Sequence, residues 1–542
     1  MTDAIDPYDQ FSYESIAFQD THPRHLAALG RLFELPAAAP GNCRVLELGC
    51  ATGGNLIPMA WYQPQASFLG IDLSANQIRE GQSMIDRLGL TNVELRQGDI
   101  LALGEELGSF DYIVAHGVYS WVPATVRERL LGLSRALLKP AGLLYLSFNA
   151  LPGWRMRGML RDILRFACRA AGDARTKLDR AYAALTRLEQ SLGELQALSA
   201  RYLREEIKYL RSAHPSYLLF EYLAEENHAF LFSDFLTDIA RHRLRYLCDT
   251  QLSFLFPSTF GSAAEAALGD IADDMELEQW LDFISARNFR RCVLCRDDAV
   301  PADELSLDAF AEFSFGCDLT PPPRLDLRSD KAAPFRQPDG TTVDVSHPLS
   351  KALLLEMIER QPDLLHLQQL LSGAEQRLLR AGGKPAEQTY DLCLMELFTL
   401  FSHRALSAAP DPAYFKQEQL SHPRATALAR AQVAAGHSQV ATARHSSLDL
   451  DSFAARMIQH MTGDHDVAAL SSRLIEELEN GTLLPPEELK LKRWSNELLR
   501  KRFTANCQEM LTLFARQGIL AADATHPTVN ENCAAGRPAP GE

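Results

Sequence analysis

Between residues 44 and 150, short apolar runs alternate with amphipathic helical patterns. This is the rhythm of a parallel α/β sheet whose strands are covered on both faces. Five runs read as strands: "RVLELG" (44–49), "SFLGID" (67–72), "NVELRQ" (92–97), "FDYIVA" (110–115) and "GLLYLSF" (142–148). Segments 54–62, 75–88 and 124–138 carry helical spacing between them. The short connections predict consecutive right-handed crossovers.

From about 156 to 225 the period turns helical, with Leu185, Leu188, Leu192, Leu195 and Tyr202 on a seam of roughly heptad spacing. A helical hairpin packed on its own chain is the plainer reading; a homodimer paired through 178–202 is the sharper one. Next, "FSDFLTDIARHRLRYLCDTQL" (232–252) predicts a short helix running into a strand at about 244–248, and "NFRRCVLCR" (288–296) predicts another strand. A sheet that stopped at five strands would leave an open edge. The two late strands are therefore expected to complete the first sheet, with 156–231 and 253–287 as helical excursions.

Proline-rich 318–340 marks a boundary. Beyond it, 341–371 and 446–475 echo one another as a β-like entry with two amphipathic helices, each followed by a further apolar helix at 392–406 or 507–520. Two winged-helix-like units, 301–410 and 411–523, fit this pattern, and the tail 524–542 has the composition of a disordered segment.

Composition narrows the class. The 542 residues are 46% hydrophobic and 23% charged, as in globular proteins, and too many for one core. The net charge of -16 argues against nucleic acid as a partner and turns the winged-helix-like units toward protein contact. The basic stretch "KLKRWSNELLRKRF" (490–503) reads as the solvated rim of a helix that buries Leu491, Trp494, Leu498 and Phe503. No apolar run reaches the ~20 residues of a membrane span, and the acidic N-terminus lacks a signal core. With 10 scattered cysteines the expected location is cytoplasmic. Cys292 and Cys295 lack a second ligand pair and read as strand core rather than a zinc site, so no metal is expected.

Ligands of doubly wound sheets bind beyond the carboxyl ends of the strands. There, "VLELGCATGGN" (45–55) places Gly49, Gly53 and Gly54 in a strand-to-helix turn, with no phosphate-cradling G-x-x-x-x-G-K-[ST]. Glu47, inside the strand, would repel a pyrophosphate and suit a cationic ligand. Asp72 ends the second strand about 20 residues later, where a ribose hydroxyl can be held, and Asp99 ends the third, where an adenine amino group fits. Each aspartate alone reads equally as a helix cap.

Together these residues resemble class I S-adenosylmethionine-dependent methyltransferases. "YDQFSYESIAFQDTHPRHLAALGRLF" (8–33), "LELGCATGGNLIPMA" (46–60), "AHGVYSWVP" (115–123), "LSFNALPGW" (146–154) and "YLLFEYLAEENHAFLFSDFLTDIARHRLRYL" (217–247) narrow the resemblance. It points to methyltransferases with a regulatory domain, a group that includes the rickettsial-type protein lysine methyltransferases. Phe148 and Phe220 depart from it, standing where a more polar residue is expected. The resemblance implies a doubly wound, Rossmann-like class I methyltransferase sheet with helical insertions, joined to mainly α, winged-helix-like C-terminal domains. It makes 1–155 the cofactor-binding core and 156–300 a helical insertion and regulatory segment. It further implies S-adenosyl-L-methionine as cofactor, with Glu47, Gly49, Gly53 and Asn55 at its methionine end, Asp72 and Leu73 at the ribose, Asp99 and Ile100 at the adenine, and His116 and Gly117 closing the site.

For the methyl acceptor, the asparagine-proline-proline-aromatic sequence of amide and exocyclic-amine methylation is absent from the fourth strand end. Aromatic faces there suit a lysine stem and ammonium. Tyr119 and Trp121 are the candidate catalytic wall, with Tyr13 from an N-terminal lid that also carries Tyr8 and His22; Tyr119 and Trp121 read as well as core packing against the next helix. Trp154 is either the pocket's far wall or an anchor for the helix after it. The expected activity is methyl transfer to lysine amines of a protein substrate. The alternatives are a small-molecule methyltransferase and a non-enzymatic, cofactor-sensing interaction protein.

Overall fold

Pro140 cannot continue the helix that precedes it, so the fifth strand enters the sheet at Leu138 rather than at residue 142. Its pairing with the fourth strand shifts register between Phe110 and Tyr112. The computed structural model describes residues 15–383, 390–415, 421–483 and 496–521. Strands β1 (Arg44–Leu48), β2 (Ser67–Asp72), β3 (Val93–Gln97), β4 (Phe110–Ala115) and β5 (Leu138–Ala150) run parallel. The short β6 (Ala229–Phe230) pairs with the end of β5. Strand β8 (Phe289–Arg296) lies antiparallel on β5, and β7 (Leu244–Asp249) antiparallel on β8. The sheet order is β3-β2-β1-β4-β5-β8-β7, so the two late strands cover the open edge.

Alternation along the strands sends Val45, Tyr112, Val114 and Tyr145 to one face, beneath helices Pro23–Leu32, Leu56–Tyr62 and Ala75–Leu88. Leu46, Leu48, Ile113 and Leu146 go to the other, beneath Ala124–Leu137 and Phe232–Arg241. Cys292 and Cys295 are buried on opposite faces, in separate cores, which rules out a shared metal ion. The helix Pro23–Leu32 was not marked by the hydrophobic pattern. Pro23 starts it, and His22 caps it by accepting from the Arg24 amide.

Helices Gly153–Cys168, Ala174–Leu192 and Leu198–Ser212 bury a core of their own around Leu164, Leu185, Ile207 and Tyr222. Leu185 and Leu192 face it, while Leu195 is exposed in the turn after Gly193, where the heptad spacing no longer has a helix to act on. The core of the first sheet face continues without a break into Phe310, Phe315, Leu353 and Phe401, so the middle segment is fused to the sheet. The echo has a structural counterpart. Hairpin Ala333–Arg336/Thr342–Val345 precedes helices Pro348–Glu359, Leu367–Arg380 and Tyr390–Ser402. Hairpin Gln439–Ala441/Ser447–Asp449 precedes Ser452–His460, Val467–Glu479 and Asn496–Arg516.

Phe503 is buried in the last of these cores; Leu491, Trp494, the Leu498 side chain and the tail 524–542 lie outside the described residues. No helix among the described residues is long and apolar enough to cross a membrane.

Candidate active site

At the carboxyl end of β1 the chain turns sharply. Gly49 has φ +77°, and a Cβ there would meet Val118 Cγ2 at 2.5 Å, so both the conformation and the space require glycine. The turn is anchored to β2: the Gly49 amide donates to the Ile71 carbonyl at 2.8 Å, and the Ala51 amide to Asp72 Oδ2 at 2.8 Å. Asp72 Oδ1 also accepts the Ser74 amide at 2.9 Å, so this half-buried carboxylate organises both strand ends. Leu73 beside it is 59% exposed, a large apolar side chain left open at the ligand end. Asp99 caps the short turn Ile100–Ala102 by accepting the Leu101 amide, and stays exposed next to half-buried Ile100.

Glu47 is buried beneath the turn. Its Oε1 accepts from Asn55 Nδ2 at 2.8 Å, while Oε2 finds no hydrogen-bond partner among the described residues. Burial pushes its pKa up to about 8, against the pull of the Asn55 amide. Asn55 is the hub of the site. Its Nδ2 also donates to Thr21 Oγ1 at 3.0 Å, and its Oδ1 accepts from the Phe18 amide at 3.1 Å and from His445 Nε2 at 2.8 Å.

Residues 15–22 thus form a strap across the sheet end. A Cβ on Gly54 would overlap the Ser15 carbonyl, so glycine there lets the strap pass close over the turn. Phe18 lays its ring on His116 at 4.1 Å. Asp20, buried, is ion-paired to Arg291 of β8 at 2.8 Å and to Arg404 of the middle segment. Burial alone would raise the Asp20 carboxyl; the two guanidiniums outweigh it and hold the group well below the usual carboxylate range.

His116 and Gly117 follow β4. His116 Nδ1 shares hydrogen bonds with Tyr145 Oη at 2.8 Å and Ser147 Oγ at 3.3 Å, and the Gly117 amide donates to Ser147 Oγ at 2.9 Å. Burial pushes the imidazole down to about 4, so it is uncharged at neutral pH. Phe18, His116, Tyr145 and Phe289 bring four aromatic rings to one face of the sheet end.

Tyr119 is a correction. Its ring is buried among Phe148, Phe230 and Phe235, and its hydroxyl donates to Asp238 Oδ2 at 3.0 Å, so it packs on the far face instead of walling an acceptor site. Phe148 belongs to the same core, and Phe220 to that of the helical insertion. Trp121 stays half-buried, edge-on to Trp154 at 6.0 Å; Trp154 is buried and joins it to Tyr222, an anchor for the insertion. His22 is buried in the strap, and Tyr8 and Tyr13 lie outside the described residues.

Phe18, Asp20, Ser147, Arg291 and His445 escaped the strand-end reading. Only Ser147, two residues before the end of "LSFN" in β5, carried a local signal, through the inward alternation it shares with Tyr145.

Three family models match the chain: "Methyltransferase domain" over residues 40–162, "Predicted methyltransferase regulatory domain" over 214–296, and "PKMT, C-terminal winged helix domain" over 421–519. "Uncharacterized protein RP789" of Rickettsia prowazekii is 28% identical over 522 residues, covering 95% of this chain and 93% of that protein. "Uncharacterized protein RP028" of the same organism is 37% identical over 229 residues, 42% of this chain and 92% of that protein. PKMT2 from Rickettsia typhi in complex with AdoHcy matches with a TM-score of 0.82 at 28% identity, covering 94% of this chain and 99% of that one. With its doubly wound sheet, glycine turn and late strands in this order, the chain belongs to the S-adenosylmethionine-dependent methyltransferases that carry a methyltransferase regulatory domain and a C-terminal winged-helix domain.

Proposed function

We propose that the protein methylates lysine side-chain amines of a protein substrate, with S-adenosylmethionine held at the carboxyl ends of β1 to β4. The carrying observation is the likeness to PKMT2, which extends over 94% of the chain and so includes the winged-helix domain whose His445 bonds Asn55. A small acceptor would need none of that added surface.

The residues fit a cationic cofactor. Glu47 keeps an oxygen without a partner among the described residues, beneath the glycine turn, in a place where an added positive charge would be welcome. Gly49, Gly53 and Asn55 surround it at the methionine end. Asp72 and Leu73 take the ribose side, and Asp99 and Ile100 the adenine side. When bound, the cofactor supplies an electrophilic methyl group.

The chain's part is orientation and exclusion of water. The Phe18–His116 pair walls the site with apolar faces, and His116, being neutral, adds no charge beside two cationic reactants. A lysine amine has a reference pKa of ~10.4 and must lose its proton to attack. Desolvation against these rings lowers that value without a dedicated base. Trp121, half-buried beside Trp154, is the residue we assign to the lysine stem.

With Leu185 and Leu192 spent on the insertion's own core, any pairing of two chains through 178–202 rests on Leu195 and Leu198, exposed 56% and 81%; sedimentation of Leu195→Glu against the parent tests it. Protein labelled with methyl-tritiated S-adenosylmethionine and bacterial lysate should carry the label as methyl-lysine on digestion. Label found only in the small-molecule fraction would overturn the lysine reading, and cofactor binding without any transfer would favour sensing.

A further inference from the structure

Beside the strap, away from the glycine turn, lies a cavity of about 30 Å³ lined by Gln19, His22, Arg24, Arg404, Ser407 and Arg444, with His25 and apolar groups of the middle segment completing it. Among the described residues no carboxylate lines it. The nearest acids are already committed. Asp20 is shared between Arg404 and Arg291, Asp318 is paired with Arg444, and Asp363 accepts the Phe415 amide.

Arg24 has no carboxylate partner among the described residues; its guanidinium contacts only the Ala443 carbonyl, at 3.4 Å, and the face of Phe415 at 5.3 Å. Arg444 is 6% exposed, and its Nη1 has no hydrogen-bond partner among the described residues. His22 Nδ1 accepts the Arg24 amide, which leaves the ring proton on Nε2, a further donor. Burial without a counter-charge pushes the Arg24 guanidinium down to about 10.

Arg404 and Arg444 already have acids, whereas the half-buried Arg24 has none among the described residues, and leaving such a cation uncompensated is costly. On the scale where one water needs roughly 10–15 Å³, this cavity holds two or three polar atoms, the size of a carboxylate head. We propose that this cavity is a carboxylate-binding site in which Arg24, Arg444 Nη1 and His22 Nε2–H hold one anionic head group at the junction of the strap, the middle segment and the winged-helix domain. Two separate parts of the chain, the stretch 22–24 and the winged-helix hairpin, supply the donors, so an occupant fastens the strap, which carries Phe18 and Thr21, onto the domain that carries His445. Anion and cofactor are then linked: each binds better in the presence of the other. The site is independent of the methyl acceptor's identity. The head group comes either from a free small carboxylic acid or from an aspartate or glutamate side chain of a protein.

The test uses the full chain with acetate as probe. Thermal unfolding is followed in sodium acetate and in sodium chloride at equal ionic strength, and cofactor affinity is measured by calorimetry in both. The expected result is a saturable rise of about 2–4 °C in acetate alone, with cofactor affinity increased severalfold. Arg24→Gln should abolish both effects and Arg24→Lys should restore part of them. Ser407→Leu, which fills the cavity without removing a cation, should abolish them as well. A capped glutamate peptide that competes with acetate, where its glutamine counterpart does not, would assign the head group to a protein side chain; failure of both peptides to compete would assign it to a free acid. No saturable effect of acetate on the parent protein, or the same effect in Arg24→Gln or Ser407→Leu, overturns the site.

Discussion

His445 Nε2 lies 2.8 Å from Asn55 Oδ1, a hydrogen bond between the hairpin of the winged-helix domain and the helix start after the glycine turn. It completes the Asn55 amide, whose two donors go to Glu47 and Thr21 and whose oxygen also takes the Phe18 amide. His445 is buried and adopts φ 63°, and burial pushes its imidazole down to about 3, so it donates as a neutral ring.

Removing that donor should therefore act on the cofactor. A net hydrogen bond of about 1 kcal/mol corresponds to roughly fivefold in affinity. His445→Ala is expected to weaken S-adenosylmethionine binding by about that factor, and His445→Gln, which keeps an N–H donor, to recover most of it. Unchanged affinity in the alanine variant, measured by calorimetry, would reduce the contact to simple domain packing.

The Asp20 clamp makes a stronger prediction. Asp20→Asn removes the buried charge that Arg291 and Arg404 share and leaves two part-exposed guanidiniums without it. Breaking a fully buried pair costs about 3–5 kcal/mol; with the guanidiniums part-exposed the expected loss is nearer the roughly 1.5–3 kcal/mol of a charged hydrogen bond. Unfolding in urea should show that loss, together with faster proteolysis near residue 20. A variant as stable as the parent would mean the strap is held by its other contacts.

Tyr119 separates packing from catalysis. Tyr119→Phe removes one hydrogen bond to Asp238, worth about 1 kcal/mol, and Tyr119→Ala opens a cavity among Phe148, Phe230 and Phe235 worth about 3–5 kcal/mol. Stability should fall in that order, while the turnover of folded Tyr119→Phe stays at the parent's level. A large drop in its turnover with intact stability would return Tyr119 to the reaction.

The sheet, its glycine turn and its closing strands were legible because each rests on local pattern: alternation, strand-end glycines, an edge in need of cover. Tyr119 misled because a strand end shows which residues leave the sheet, not which face they take afterwards; the short turn Tyr119–Trp121 swings the ring under β5. The strap and His445 were illegible for a different reason. Their roles arise from contacts such as Asp20 with Arg404 and Asn55 with His445, joined only when the middle segment and the winged-helix domain close over the sheet. No window of sequence contains both partners.

Glu47 supplies a pH signature. Its pKa is raised from 4.5 to about 8 in the folded chain without cofactor. Below pH 4.5 both folded and unfolded forms hold the proton and the group contributes nothing; as pH climbs from 4.5 toward 8 the unfolded chain releases it, the folded chain does not, and stability falls. A cation beside Oε2 favours the carboxylate, so cofactor binding should expel that proton. Affinity should therefore rise roughly tenfold per pH unit between about pH 5.5 and 7.5, with about one proton released per cofactor bound. Calorimetry in buffers of different ionisation enthalpy reads the proton directly. Glu47→Gln should bind more weakly at the upper end, release no proton and show a flat profile across the range. An equal pH slope in parent and variant would mean that the titrating group lies elsewhere, and that the unpartnered oxygen of Glu47 does not face the cofactor's charge.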